Sequence, residues 1–239
     1  MNPLRSFCQT LGYELIKEKK SPSLRSHLKN VFDRYRIDVV LDVGANLGQF
    51  ATMIRKAGYR GHIYSFEPVA ASFECLSEAA RGDDRWHVFK LGLGDQRARM
   101  AINLSKSSDL NSLLAANDYG RTRYPKIEAN ARETIEIDTL DHFLAEHDIP
   151  SDARVFLKMD TQGYDLKVFE GARNSLGRVS ALLSELSLIP IYENAPHWLD
   201  ALACYERGGF RVSGLYPVSR NPDLTVIEVD CVLVGKSDR

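Results

Sequence analysis

The stretch from Ile37 to Phe50, IDVVLDVGANLGQF, sets the tightest limit on what this chain can fold into. Asp38-Val39-Val40-Leu41 is a near-continuous apolar, β-branched run, the pattern of a strand covered on both faces of a parallel sheet. The run gives way to Asp42-Val43-Gly44-Ala45-Asn46-Leu47-Gly48, and Gln49 to Ala57 then has helical spacing that stops at Gly58. Strand, glycine turn and helix form the ligand-binding corner of a doubly wound α/β sheet, at the carboxyl end of a strand. Glycine there lets the backbone approach a ligand that a Cβ would hold off. A dinucleotide fingerprint needs G-x-G-x-x-G. Counted from Gly44, that register requires glycines where Asn46 and Gln49 stand, and it fails twice. The chain carries D-x-G-x-N-x-G instead, with a carboxylate two residues ahead of the first glycine.

The remaining segments extend the same alternation. A helix is expected over Leu24 to Tyr35, behind the break at Ser21-Pro22-Ser23. Gly61 to Glu67 reads as a second strand ending in an acid, and Pro68 opens a helix where its missing N–H does no harm. Trp86 to Leu91 is a third strand leading into Gly92-Leu93-Gly94-Asp95. Alternating strands are expected over Arg97 to Leu104 and Thr134 to Ile137, and a helix over Thr139 to Leu144. Val155 to Asp160 is another buried strand ending in an acid, followed by Gly163 and a helix over Tyr164 to Leu176. Val179 to Leu186 is a strand, Pro196 begins a helix closing at Gly208-Gly209, and Phe210 to Tyr216 with Thr225 to Val234 form a terminal antiparallel pair. Between them, Ser105 to Lys126 is polar and irregular. Its Tyr119, Arg121, Arg123 and Tyr124 suit stacking on a sugar ring and gripping polar substituents, or else form a solvated excursion. Strands alternating with helices, with a closing hairpin, predict an α/β fold: a doubly wound, mostly parallel sheet in one domain over residues 37–239, preceded by a helical extension over 1–36.

Composition narrows the class. With 44% hydrophobic and 26% charged residues the chain is ordinary for a soluble globular protein, and a formal net charge of -1 gives no nucleic-acid footprint. Cys8, Cys75, Cys204 and Cys231 are scattered without metal spacing, as expected of reduced thiols in a cytoplasmic protein. No apolar run reaches the length of a membrane span. The first twenty residues lack the apolar core of a signal peptide. They can form a basic amphipathic helix with Leu4, Phe7, Leu11 and Leu15 on one side, packed on the domain or touching a membrane or partner.

Three segments carry a resemblance. They are Val40 to Gly48, then Ser65-Phe66-Glu67-Pro68, then Ile137-Asp138-Thr139-Leu140-Asp141 continuing through Leu157-Lys158-Met159-Asp160-Thr161-Gln162-Gly163-Tyr164-Asp165 to Glu170-Gly171-Ala172. The first looks like the opening motif of class I S-adenosylmethionine methyltransferases. The three together resemble the FkbM family of that class, over roughly Val39 to Gly209. The resemblance implies a Rossmann-like, seven-stranded sheet in the order 3-2-1-4-5-7-6 with one antiparallel strand. It implies S-adenosylmethionine as cofactor, and methylation of a hydroxyl on a natural product, sugar or glycolipid. Tyr164 and Asp165 depart from the alanine and glutamate common at those places.

For that cofactor the expected contacts are Asp42, Gly44, Ala45, Asn46, Gly48, Glu67, Pro68, Leu93 and Asp95. Asp42 suits the sulfonium and ammonium, and reads alternatively as a turn or N-cap residue. Glu67 stands where nucleoside-binding folds accept both ribose hydroxyls. Leu93 falls in the loop that closes over the adenine, and Asp95 belongs either there or to the next turn. Asp160 is expected as general base or metal ligand, Glu185 shares that task, and Lys158 orients the hydroxyl or holds Asp160 ionised. Lys158 and Asp160 are two apart on a strand, so they also read as a structural ion pair. A divalent metal is allowed, but the dispersed histidines do not demand one. The expected reaction is therefore O-methylation of a sugar-containing metabolite, glycolipid or polysaccharide, with no nucleic acid involved. The alternatives are a nicotinamide-dependent sugar oxidoreductase or epimerase, and a non-catalytic S-adenosylmethionine-binding module.

Overall fold

The computed structural model describes residues 7–8, 10–12 and 22–236. Phe7 and Leu11 are exposed; Leu4 and Leu15, the rest of the expected apolar side, lie outside the described residues.

Helix α1, Leu24–Tyr35, begins at Ser23, whose hydroxyl accepts from the Ser26 N–H, and stops at Arg36 in the left-handed conformation. Its buried Leu28, Val31 and Phe32 pack in one cluster with Val40 and Phe156. Strand β1, Val39–Val43, is buried along its whole length. It leads through the glycine turn into α2, Gln49–Lys56, then β2, His62–Phe66, α3, Ala70–Ala80, and β3, Trp86–Phe89. Beyond them come β7, Val155–Met159, α6, Asp165–Glu170, β8, Val179–Ser187, α7, Trp198–Arg207, β9, Phe210–Arg220, and β10, Val226–Gly235. The sheet runs β3-β2-β1-β7-β8-β10-β9. Counting only its own members, that is 3-2-1-4-5-7-6, and β10 runs antiparallel to both neighbours.

The period of two sorts β1 between the faces of the sheet. Val39, Leu41 and Val43 join a core with Phe143, Phe169 and Tyr205 from the helices on one side. Val40 joins Leu28, Ile54 and Leu76 on the other. Asp42 shares that second face, and the parallel register sets it beside Lys158 of β7.

Three features differ from the sequence reading. Strand β5, Ala98–Ser105, stands within one residue of its expected place, but β6, Ala129–Asp138, is longer than its apolar alternation suggests, and with β4, Gly92–Leu93, they form a separate three-stranded sheet. The polar residues at their outer ends pair backbone to backbone, which needs no apolar side chains. The excursion between them carries a short 3-10 turn, Ser108–Leu110, and helix α4, Asp118–Arg123, capped by Asn117. Helix α5, Leu140–Glu146, starts at the Thr139 cap, and α6 ends at Glu170, six residues earlier than its apolar spacing implies.

Candidate active site

At the carboxyl ends of β1, β2, β7 and β8 lies a cavity of about 640 Å³, roofed by the small sheet and the 108–113 segment and closed at the far end by β10. Its position follows from topology. In an open α/β sheet, the crevice forms where successive strands leave in opposite directions.

The glycine turn makes one wall. Gly44 has a φ of +73°, and a Cβ there would stand 1.9 Å from the Asp160 carbonyl oxygen. No other residue fits, and the close approach draws the two loops together. The N–H groups of Gly44 and Ala45 both donate to the Phe66 carbonyl. The Asn46 N–H donates to Glu67 Oε2 at 2.8 Å, and the Val69 N–H to Oε1 at 2.9 Å. Glu67 therefore sits against the bend. Burial pushes its carboxyl above the ordinary range, partly opposed by those two N–H groups. The Asn46 Oδ1 is buried without a hydrogen-bond partner.

Lys158 ties the floor together. Its Nζ donates to the Gly44 carbonyl at 2.8 Å and the Val43 carbonyl at 3.3 Å. It also lies 3.1 Å from Asp42 Oδ1 and 3.5 Å from Asp160 Oδ2. Burial works against the ammonium, but Asp42 and Asp160 more than offset it and hold Lys158 above the usual lysine range. The Ser65 hydroxyl donates to the other Asp42 oxygen, and Trp86 Nε1 donates to that serine.

Beyond Lys158 stands a group of carboxylates. Gln162, at a φ of +53°, donates from Nε2 to Asp160 Oδ1 at 3.1 Å and to Glu185 Oε2 at 2.9 Å. Its own Oε1 accepts from the Tyr192 hydroxyl. Burial first, then Asp160, Glu228 and Asp230, push Glu185 well above the ordinary glutamate range. Burial likewise raises Glu228, and with Asp160 it raises Asp230 to about 6. Asp165 anchors the loop from below. It accepts from the Thr161 N–H and hydroxyl, from the Ser184 hydroxyl and from the Glu185 N–H. The shorter acid at this family-departing position thus has full employment within the fold.

Of the residues singled out in the sequence, Gly44, Ala45, Asn46, Glu67, Pro68, Leu93, Lys158, Asp160 and Glu185 line this one cavity. Three stand elsewhere. Asp42 is wholly buried behind the bend. Gly48 faces Leu76 and Trp86. Asp95 pairs with Lys167 at 2.9 Å. From the irregular segment Tyr124 reaches the cavity. Tyr119 instead donates to Asn221, Arg121 to the Ala116 carbonyl, and Arg123 to the Arg220 carbonyl. Sequence reading passed over Gln162, Glu228 and Asp230. The last two had a signal: acids at alternate positions of an otherwise apolar strand, IEVDCVLV, share one face. Among the described residues, no group of three or more His, Cys, Asp or Glu is arranged to hold a metal ion.

The residues fit S-adenosylmethionine. The turn gives bare backbone where a Cβ would intrude, Asn46 offers a buried acceptor lacking a donor, and Glu67 faces the same bend.

Several known proteins are similar to this chain. The 2-O-methyltransferase NoeI of Sinorhizobium fredii is 24% identical over 182 residues, 73% of this chain and 74% of that protein. The hexuronic acid methyltransferase AglP of Haloferax volcanii is 26% identical over 153 residues, 62% of this chain and 56% of the relative. Among solved structures, an rRNA methylase from Streptococcus thermophilus aligns with a TM-score of 0.48 at 13% identity, over 90% of this chain and 98% of that one. The family model described as the methyltransferase FkbM domain matches residues 42–212, most of the chain. The chain belongs to the FkbM family of methyltransferases.

Proposed function

We propose that this enzyme transfers a methyl group from S-adenosylmethionine to a hydroxyl of a sugar-containing acceptor. The observation that carries the reading is the meeting of Glu67, the Gly44 bend and the Lys158–Asp160 pair around one cavity. S-adenosylmethionine supplies a methyl already activated on a sulfonium. The chain's own residues then bind, orient and accept a proton, and positioning alone is worth up to about 7–11 kcal/mol in favourable cases.

In this reading Glu67 takes the ribose hydroxyls, Asn46 Oδ1 accepts from the donor it lacks, and Pro68 and Leu93 bear on the base. Asp42 acts through Lys158, holding the ammonium that fixes the Gly44 carbonyl. At the acceptor end, the alcohol is a poor nucleophile and gains from a base. Asp160, with one oxygen on Gln162 and the other beside Lys158, takes its proton. Glu185 stands behind it, joined to Asp160 through the Gln162 amide, with its carboxyl raised by burial and by the neighbouring acids.

The sugar acceptor is supported by the names of two relatives, a 2-O-methyltransferase and a hexuronic acid methyltransferase. Among the described residues no helix is long and apolar enough to cross a membrane. The free cysteines suit a reducing, cytoplasmic setting. A nicotinamide enzyme is not favoured, given the family match and the failed glycine register.

Titration calorimetry tests the cofactor half. Saturable binding of S-adenosylmethionine is expected, with its loss in Glu67→Ala, and well-folded protein that binds none would rule the reading out. Mass spectrometry of glycans from a deletion strain, seeking one missing methyl group, tests the acceptor half.

A further inference from the structure

The acceptor end of the cavity has a charge pattern that goes beyond methyl transfer. Asp230 of β10 and Glu185 of β8 stand directly opposite each other in the antiparallel register. Like charges in that position destabilise a sheet. Glu228 lies on the same face of β10, and all three line the cavity with Tyr124. Glu228 accepts from the Ser219 hydroxyl, which also receives a hydrogen bond from Tyr124. The Asp230 carboxylate has no hydrogen bond or ion pair within the described residues.

Counter-charge is missing where it would be needed for an acid. Among the described residues, the one cation lining the cavity is Lys158, and its ammonium is already spent on two carbonyls and two carboxylates. Arg121 and Arg123, which the sequence offers as grips for polar substituents, donate to backbone carbonyls outside it. An acceptor bearing a carboxylate or phosphate would face carboxylates with no free cation. A protonated amine would relieve the repulsion between Asp230 and Glu185, and Tyr124 lines the cavity beside them.

We propose that the acceptor is an amine-bearing sugar, seated with its ammonium against Asp230 and Glu228, and that uronic acids and phosphorylated sugars are excluded. This rests on the reading of the cavity as the methyl-transfer site. It separates this chain from the relative named for hexuronic acid. Burial raises both Asp230 and Glu228, and a bound ammonium would favour their ionised forms.

The test uses the full chain saturated with S-adenosylhomocysteine, titrated at neutral pH with the methyl glycosides of glucosamine, glucose and glucuronic acid. The amine glycoside is expected to bind about tenfold more tightly than the neutral one, with no binding of the uronide. Asp230→Asn removes the charge without breaking a hydrogen bond and should erase the preference, while Asp230→Glu should keep it. Equal affinities, a preference for the uronide, or no saturable binding of the amine glycoside up to its solubility limit would each overturn the proposal. Normal S-adenosylhomocysteine binding with such a result sinks this inference alone, whereas failure to bind S-adenosylhomocysteine takes the methyltransferase reading down with it.

Discussion

Lys158 and Asp42 are a buried ion pair on neighbouring strands, 4% and 0% exposed. Removing one member of such a pair leaves the other charged in a dry interior, at a cost of about 3–5 kcal/mol. Lys158→Met should therefore lower the unfolding free energy by that amount in urea titrations, and adding Asp42→Asn should restore part of it. Asp230 behaves oppositely. Its carboxyl is raised to about 6 in the fold, so the native state holds the proton more tightly than the unfolded chain does. That advantage is present below the ordinary aspartate range and is lost as pH rises through about 6. Asp230→Asn should accordingly stabilise the protein by roughly 1–3 kcal/mol above that pH and by almost nothing near pH 3. Denaturant midpoints measured at both pH values check the sign. If Asp230→Asn destabilised the protein at neutral pH, the carboxylate would have to be making a contact that offsets its burial.

At the scale of elements, the signature around Thr139-Leu140-Asp141 and Glu170-Gly171-Ala172 turns out to be a fastening between the two sheets. Thr139 caps α5. The Asp141 N–H donates to the Gly171 carbonyl, and the Asp141 carboxylate accepts from Asn174. Gly171 lies so close to the residue that follows β4 that a Cβ on it would stand 1.9 Å from the Gly94 carbonyl oxygen. That contact fixes the segment immediately after Leu93. Gly171→Ala should push the segment away and weaken S-adenosylmethionine binding, although residue 171 does not line the cavity. Calorimetry would show a raised Kd with the circular-dichroism spectrum retained. An unchanged Kd would mean that the loop yields elsewhere. The seven-stranded sheet was legible because its central strands are apolar on both faces. The β4-β6-β5 sheet was legible only in part: β5 was expected close to where it stands, whereas backbone hydrogen bonds hold the polar outer half of β6, around Arg132, whatever its side chains.

For the whole molecule, a ligand that binds only the folded state stabilises it by mass action. At one hundred times its Kd, S-adenosylhomocysteine should add about 2.7 kcal/mol, or roughly 5–10 °C in Tm for a chain of this size. A thermal scan with and without the ligand measures this directly, and no shift at saturating concentration would contradict the cofactor assignment. Much of the candidate site was readable beforehand. The glycine turn, Glu67 and the Lys158–Asp160 strand end are local patterns, and the sheet order brings them together. Gln162, Glu228 and Asp230 were not read, since a glutamine in a turn and acids some seventy residues further on have no sequence relation to Asp160. By itself, then, the sequence determined the alternation of buried strands and helices, the bend at Gly44 and the acid after β2, because period, β-branching and glycine act over a few neighbouring residues. Only the tertiary structure decided that Asp42 faces Lys158 rather than the cavity, and that β10 returns antiparallel to set Asp230 against Glu185. Strand pairing joins residues far apart in the chain, and which side chains then share a face depends on register that no local pattern specifies.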